Sequence, residues 1–138
     1  MTWTCPVCKK EFEQRMQPHT CARVPVDIHF RGKPPIIRMI YDRLIQEANR
    51  FGRITVNPTE SSIEIKSNAT FLSICTFSDR VEIKFYLRQF EDREPITSST
   101  RISRERVLHT ATLNNIMQVK ERLVGWLWES YELVTAGK

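Results

Sequence analysis

The middle of this chain repeats an apolar residue at every second position, and this period limits the possible folds more than any other feature. In VEIKFYLRQ the apolar side chains of Val81, Ile83, Phe85 and Leu87 alternate with polar or charged neighbours. RITVN and SIEIKS alternate in the same way, and TFLSICTF is apolar on both faces. A period of two is typical of β-strands with one buried face, so we expect a sheet.

The joints between these segments indicate how the strands pair. NPTES, SNA and SDR are short, which favours antiparallel neighbours. A polar stretch, FEDREPITSSTRISRE, is expected to form a long loop, and RVLHTAT reads as a fifth strand after it. The sequence therefore predicts an antiparallel meander of about five strands.

Two segments with a helical period flank the predicted strands. In IIRMIYDRLIQEANRFG apolar residues recur at three- and four-residue steps from Ile37 to Phe51, and Gly52 is a suitable terminator. A second apolar stripe of this kind begins at about Asn114. We therefore predict an α+β domain over residues 25–138, in which an N-terminal and a C-terminal helix cover one face of the sheet.

The N-terminus concentrates residues that bind metals. Three of the four cysteines and one of the three histidines lie within residues 5–21, as a C-x2-C pair and an H-x-C pair. Zn²⁺ takes four N/S ligands in a tetrahedron. Clustered thiols in the cytoplasm, where we expect this protein, favour a metal over a disulfide. The sequence predicts one structural zinc held by Cys5, Cys8, His19 and Cys21.

The predicted zinc unit is a small knuckle over residues 1–24. An H-x-C pair cannot bind one metal from a regular helix, so it is expected on a turn or an extended segment. Trp3 and Phe12 are expected to supply the apolar contacts of this unit, which is too small to form its own core. Two alternatives stay open from the residues alone: a disulfide instead of the metal, and His29 in place of His19.

The charge of the chain is moderately basic and is unevenly distributed. The net charge is +5, and residues 1–35 hold six Lys or Arg against three acids, a balance of +3. No apolar run follows a basic start, and no stretch approaches the roughly 18 apolar residues that cross a bilayer. We therefore expect a cytoplasmic protein without a membrane partner, whose acidic partners would be drawn to the N-terminus.

Nucleic-acid binding is the first functional hypothesis. Basic side chains in and beside the zinc knuckle could contact phosphates, and a second cluster in TSSTRISRER interleaves Arg with hydroxyls suited to phosphate oxygens. The spacing is not that of the C2H2 finger, so base-specific recognition has little support. The candidate residues are Lys9, Lys10, Arg15, Arg23, Arg31, Lys33, Arg101, Arg104 and Arg106.

Two further hypotheses come from other functional classes. A protein-interaction or adaptor module would use an exposed tryptophan, because Trp126 and Trp128 lie two positions apart and cannot both face the core of one helix. An enzyme would use His109, with Tyr86 and Arg88 on a concave sheet face. No nucleophile elbow, phosphate-binding glycine loop or carboxylate pair supports the enzyme, so a non-enzymatic module is favoured.

The order of the motifs resembles a bacterial family of uncharacterised proteins that carry the DUF5655 domain. The resemblance rests on W-x-C-P-x-C with H-x-C behind it, then HFRGKPP, RFG, RITVNP and the late LHT. It would cover a zinc-finger-like start at residues 3–21 and the domain from about residue 27 to 134. The resemblance implies a small α+β domain, and it brings no established activity or catalytic residue.

Overall fold

A short antiparallel pairing is present at the N-terminus of the structure, a computed structural model that describes residues 3–4, 11–12 and 25–135. Trp3–Thr4 (β1) pairs with Glu11–Phe12 (β2), and Trp3 stands opposite Phe12 in the backbone register. The four predicted zinc ligands themselves lie outside the described residues.

A six-stranded antiparallel sheet forms the centre of the fold. Its strands are β3 (Thr55–Pro58), β4 (Ile63–Lys66), β5 (Thr70–Thr76), β6 (Val81–Leu87), β7 (Ile96–Arg101) and β8 (Val107–Leu113). They lie side by side in the order β3-β4-β5-β6-β8-β7. The prediction of an α+β fold with an antiparallel sheet is confirmed, with six strands in place of about five.

Strand β7 lies within the segment that the sequence predicts to be a polar loop. It occupies the edge of the sheet and pairs with β8, with Ser99 opposite His109 and Thr100 opposite Leu108. An edge strand buries few side chains, and five of the six residues of β7 are polar. The hydrophobic alternation that identifies the inner strands is therefore missing here.

One face of the sheet is buried beneath both helices. Leu72, Phe85 and His109 stand opposite one another on β5, β6 and β8, and all three are fully buried. Helices α1 (Pro35–Asn49) and α2 (Glu121–Thr135) pack apolar residues against this same face. The strand residues between the buried ones point to the opposite face, which we call the open face. No helix of residues 25–135 packs there.

The two helices begin and end as their local sequences dictate, with one difference from the prediction. Proline stands at the first position of α1, where a missing N–H costs nothing, and Gly52 lies beyond its end with a φ of 153°. Helix α2 begins at Glu121 and not near Asn114. A 3₁₀ turn precedes it, and Asn115 caps this turn through the N–H of Met117.

No helix of the described residues is long and apolar enough to cross a bilayer.

A buried serine of α2 completes the sheet at the point where β5 and β6 separate. The hydroxyl of Ser130 donates to the carbonyl oxygen of Phe71 at 2.6 Å and accepts the N–H of Tyr86 at 2.9 Å. Leu72 and Phe85 are the last paired residues at this end, so Ser130 takes the place of the next ladder bond. This side chain satisfies two backbone groups that would otherwise be buried without partners.

We predict that Ser130→Ala lowers the free energy of unfolding by about 1–3 kcal/mol, because it leaves a buried donor and a buried acceptor unsatisfied. Urea denaturation followed by circular dichroism measures the change. The matched control is Ser103→Ala, which removes an exposed hydroxyl from the β7–β8 turn and should cost less than about 0.5 kcal/mol. Equal stabilities of the two variants would contradict the bridging role of Ser130.

Candidate nucleic-acid interface

The open face carries polar side chains in rows that cross the sheet. Cross-strand register sets which residues share a row, since directly opposed residues project from the same face. The first row is Ser73, Lys84, Thr110 and Ser98, and the second is Tyr86, Leu108 and Thr100. Lys84, Ser98 and Thr100 are exposed, and the other members are half-buried. These two rows present hydroxyls, one ammonium group and one aromatic ring, and the same face also carries Glu64 beside Ser73 and Glu82 opposite Cys75.

A guanidinium group covers the aromatic ring of this face. The central carbon of the Arg106 guanidinium lies 5.3 Å from the centroid of the Tyr86 ring, within the range of a cation–π contact. Arg106 immediately precedes β8, and Tyr86 lies near the end of the neighbouring strand β6. We call the set formed by Lys84, Tyr86, Arg106 and the hydroxyls of Ser98, Thr100 and Thr110 the basic patch.

Neither cation of the basic patch forms an ion pair with another described residue. Within the described part of the chain, no carboxylate lies within 4 Å of Lys84 or Arg106. The arginine at the opposite end of β6 contrasts with them, because Arg80 is paired with Asp79 at 2.8 Å and with Glu82 at 3.1 Å. Positive potential is therefore concentrated at the Arg106 end of the open face.

The predicted cluster of Arg101, Arg104 and Arg106 is divided by the β7–β8 hairpin. Nη1 of Arg101 donates to the carbonyl oxygens of Ser103 and Arg104, both at 3.0 Å, and its guanidinium lies 5.2 Å from the ring centroid of Phe90. Arg101 points to the side of the sheet that the helices cover, whereas Arg106 points to the open face. Arg104 is exposed in the turn between them. Of the three, Arg106 joins the basic patch.

The basic residues before α1 lie far from this patch. Nζ of Lys33 donates to the carbonyl oxygen of His29 at 2.7 Å and to Oγ1 of Thr76 at 2.9 Å, so Lys33 ties the 3₁₀ turn Val26–His29 to β5. Thr76 is opposite the first residue of β6, and that strand is about 20 Å long. Arg31 is exposed beside Lys33. The other candidate cations, Lys9, Lys10, Arg15 and Arg23, lie outside the described residues.

His109 occupies the covered side of the sheet, away from Tyr86. Its Nδ1 lies 3.0 Å from the carbonyl oxygen of Val107, and its Nε2 accepts the N–H of Glu91 at 3.0 Å. The ring is fully buried and stacks on Phe85 at 5.8 Å. Burial lowers the pKa of His109, so the neutral imidazole with its proton on Nδ1 is favoured. This histidine anchors the loop after β6, and it does not share a surface with Tyr86 as the enzyme hypothesis requires.

A shallow cavity of about 290 Å³ lies between the loop after β6 and helix α2. Phe90 and Glu91 line one side, and Trp126 and Glu129 line the other. The carboxylate of Glu129 accepts the N–H of Arg88 at 2.8 Å, which holds the loop in place. His109 does not line this cavity, so its imidazole is not available to a molecule bound there.

The described residues offer few other reactive groups. Among residues 25–135, no three His, Cys, Asp or Glu side chains are placed to hold one metal ion. The free thiol of Cys75 lies on the open face opposite Glu82, and burial raises its pKa. This thiol is therefore held in its protonated, unreactive form.

The sequence indicated part of the basic patch, because the cluster TSSTRISRER contains Ser98, Thr100 and Arg106. The alternation in VEIKFYLRQ places Lys84 and Tyr86 on the polar side of one strand, but a search for runs of Lys and Arg passes over them. Ser98 and Thr100 belong to the predicted cluster, but their segment was predicted to be a loop, so their place beside Thr110 and Leu108 was missed. The contact of Arg106 with Tyr86 joins residues distant in sequence, and a periodic pattern does not encode such a contact.

One comparison with known proteins gives a match. The model of a family described as Domain of unknown function (DUF5655) matches residues 26–134, which is most of the chain. No curated protein and no solved structure matches this chain. The matched range coincides with the α+β domain and leaves the predicted zinc unit outside.

We predict that His109 makes the domain less stable as the pH falls from about 7.5 to 5.5. The unfolded histidine binds a proton near its ordinary pKa of about 6.5, whereas burial lowers the pKa of His109 in the folded state. The unfolded state therefore takes up more protons, and stability falls by at most about 1.4 kcal/mol per pH unit from this group. Urea denaturation across this pH range should show a flatter profile for His109→Gln. Identical slopes for both proteins would contradict the prediction.

Proposed function

The chain belongs to the DUF5655 family, and we propose that it is a non-enzymatic module that binds nucleic acid through the basic patch. The observation that carries the proposal is the placement of Lys84 and Arg106 among hydroxyls on a face that no described helix covers, with no carboxylate within 4 Å of either cation. Unpaired cations interleaved with hydroxyls favour an anionic polymer as the partner.

Each component of the basic patch suits a component of the phosphate backbone. The ammonium group of Lys84 and the guanidinium of Arg106 can neutralise phosphates and release counterions. The hydroxyls of Ser98, Thr100 and Thr110 can donate to phosphate or sugar oxygens, which is where most protein–nucleic acid hydrogen bonds go. Such contacts hold the polymer without reading its sequence, so we expect little base specificity from them.

We also propose that the N-terminal unit holds one structural zinc ion through Cys5, Cys8, His19 and Cys21. The donor set contains three thiolates and one imidazole, which matches the ligands of structural zinc sites. The pairing of β1 with β2 supports the proposal, because it brings together the two ends of the segment that contains Cys5 and Cys8. Lys9, Lys10, Arg15 and Arg23 would then form a second contact surface for the same polymer.

A protein-interaction module is the second candidate, and one observation favours it. Trp128 of α2 is 41% exposed and stacks on Tyr131 with ring centroids 5.6 Å apart, while Phe51 packs beside them. Trp126 instead lies partly buried against Phe85. An exposed tryptophan on a rigid aromatic base is a frequent anchor in protein interfaces. This surface is on the helical side of the molecule, so it can be tested separately from the basic patch.

The test of the first proposal is the salt dependence of nucleic-acid binding. Fluorescence anisotropy of the zinc-loaded full chain with labelled oligonucleotides should show a Kd that rises steeply between about 50 and 200 mM salt. Lys84→Ala and Arg106→Ala should each weaken binding for all sequences and reduce the log–log salt slope by about one phosphate contact. The charge-matched control is Arg122→Ala, which removes an exposed arginine from α2 and should leave the slope unchanged.

Two results would count against nucleic-acid binding at this patch. An absence of binding at the lowest salt concentration would reject the function as a whole. Equal effects of Arg122→Ala and Arg106→Ala would show that only the total charge matters and would reject the proposed surface. Loss of a protein partner on Trp128→Ala, with oligonucleotides unbound, would favour the second candidate.

The zinc proposal predicts a different kind of change. Cys8→Ser should lower the bound zinc, measured by inductively coupled plasma mass spectrometry, from about one equivalent to a small fraction. Thermal unfolding of the α+β domain should stay close to that of the parent chain, because the predicted ligands all precede residue 25. Cys75→Ser is the matched control, since it removes a thiol from β5 and should leave the zinc content unchanged. Full zinc occupancy in Cys8→Ser would overturn the assignment.

A further inference from the structure

We infer that the basic patch takes single-stranded nucleic acid, with one base stacked on the ring of Tyr86 and the backbone crossing β6, β8 and β7. The inference rests on the proposed function and specifies the form of nucleic acid that the same surface accepts. Three features of the open face support it: its breadth, its pairing of an aromatic ring with a guanidinium group, and the direction in which its polar groups run.

The breadth of the face excludes the entry of the whole sheet into a duplex groove. Six strands spaced about 4.8 Å apart span about 24 Å, whereas the major groove of B-DNA is about 12 Å wide. A flat sheet can instead lie along a single strand, whose bases are free to turn toward it. The geometry of the open face therefore suits an unpaired strand better than a duplex.

The tip of the β7–β8 hairpin is the alternative element for a duplex, because a two-stranded ribbon fits the major groove. Arg101, the last residue of β7, does not extend from the tip of this hairpin. Both of its hydrogen bonds go to carbonyl oxygens within the turn, and its guanidinium lies over Phe90. Arg106 likewise lies over Tyr86 and not beyond the tip. Two of the three arginines of this hairpin are therefore directed back along the molecule.

Tyr86 and Arg106 together form a platform of the kind that bases stack on. Unpaired bases stack on aromatic rings and on guanidinium planes, and this contact tolerates any sequence. Tyr86 is half-buried, and Ser130 fixes its backbone N–H from below the sheet. The backbone that carries the ring is consequently held in place before binding, which limits the conformational entropy that is lost when a base stacks on the ring.

The polar groups beside the platform run across the strands and define a track for the backbone. Lys84 and Thr110 are directly opposite each other, and Ser98 continues their row to the edge of the sheet. Thr100 and Leu108 continue the row of Tyr86 in the same direction. A strand that stacks a base on Tyr86 therefore meets Lys84 and the hydroxyls of its row on one side of that base and Arg106 on the other. The carboxylates of this face, Glu64 and Glu82, lie beyond Ser73 and Lys84, away from Tyr86.

The test compares a single-stranded oligonucleotide of about 12 residues with the duplex of the same sequence, using the zinc-loaded full chain at several salt concentrations. We expect the single strand to bind more tightly at every salt concentration. Tyr86→Leu should weaken single-strand binding by about 5- to 160-fold, which corresponds to the roughly 1–3 kcal/mol lost with one stacked base. Tyr86→Phe retains the ring and should bind within about two-fold of the parent chain.

The control for the loss of an exposed aromatic ring is Phe77→Leu. Phe77 lies in the β5–β6 turn, and the guanidinium of Arg80 lies 4.2 Å from its ring centroid. This pair resembles the pair of Arg106 and Tyr86 at the other end of β6. Its arginine is neutralised by two carboxylates, and the variant should therefore bind as the parent chain does. Thermal unfolding of each variant verifies that the fold is intact.

Photo-cross-linking identifies the stacked residue directly. An oligonucleotide with 5-iodouracil should form its main adduct on Tyr86, located by peptide mass mapping. Equal binding of duplex and single strand, with Tyr86→Leu unaffected, would overturn the inference and leave nucleic-acid binding intact. A main adduct on Trp3 or Phe12 would overturn it as well, because the stacking surface would then be the N-terminal unit. Failure of both oligonucleotides to bind at the lowest salt concentration would overturn the inference and the proposed function together.

Discussion

Burial of a single face of the sheet is the constraint on which the other features of this domain depend. Both helices pack on the same side, so every strand residue that points to that side must be apolar or have its polar atoms satisfied. Ser130 and His109 meet the second condition, because their side-chain polar atoms bond to backbone groups. The alternation of the strands then directs the remaining side chains outward, and these include the cations and hydroxyls of the basic patch.

The same two buried residues connect the covered side of the sheet to the open face. Ser130 holds the backbone of Tyr86 from beneath, and His109 holds the loop that follows the end of β6. Because these bonds are made in the core, they form independently of any partner. The proposed binding surface is therefore rigid at the strand end where Tyr86 and Arg106 meet, and a partner would not have to organise it.

The sequence predicted the parts of the fold that have a period, and it did not predict those that depend on contacts. Alternation at Val81–Leu87 and the helical stripe at Ile37–Ala48 are local signals, and both elements are where the sequence places them. Strand β7 has no such signal, because its segment ITSSTR packs on one neighbour and is largely polar. The opposite orientations of Arg101 and Arg106 follow from the register of β7 on β8, which no run of residues reveals. The sequence therefore indicated clusters of basic residues without indicating which of them share a surface.

The small number of free cations on the open face limits what the domain can do alone. Two phosphate contacts correspond to a log–log salt slope of only about −1.4 for a single strand, which implies weak binding near physiological salt. In the proposed function, the basic residues Lys9, Lys10, Arg15 and Arg23 of the N-terminal unit add further contacts to the same polymer. Because both surfaces belong to one chain, the second contact forms at a high effective concentration, and the two weak affinities reinforce each other. In this proposal the two cations of the basic patch act together with residues 1–35, which carry +3 of the net charge of +5.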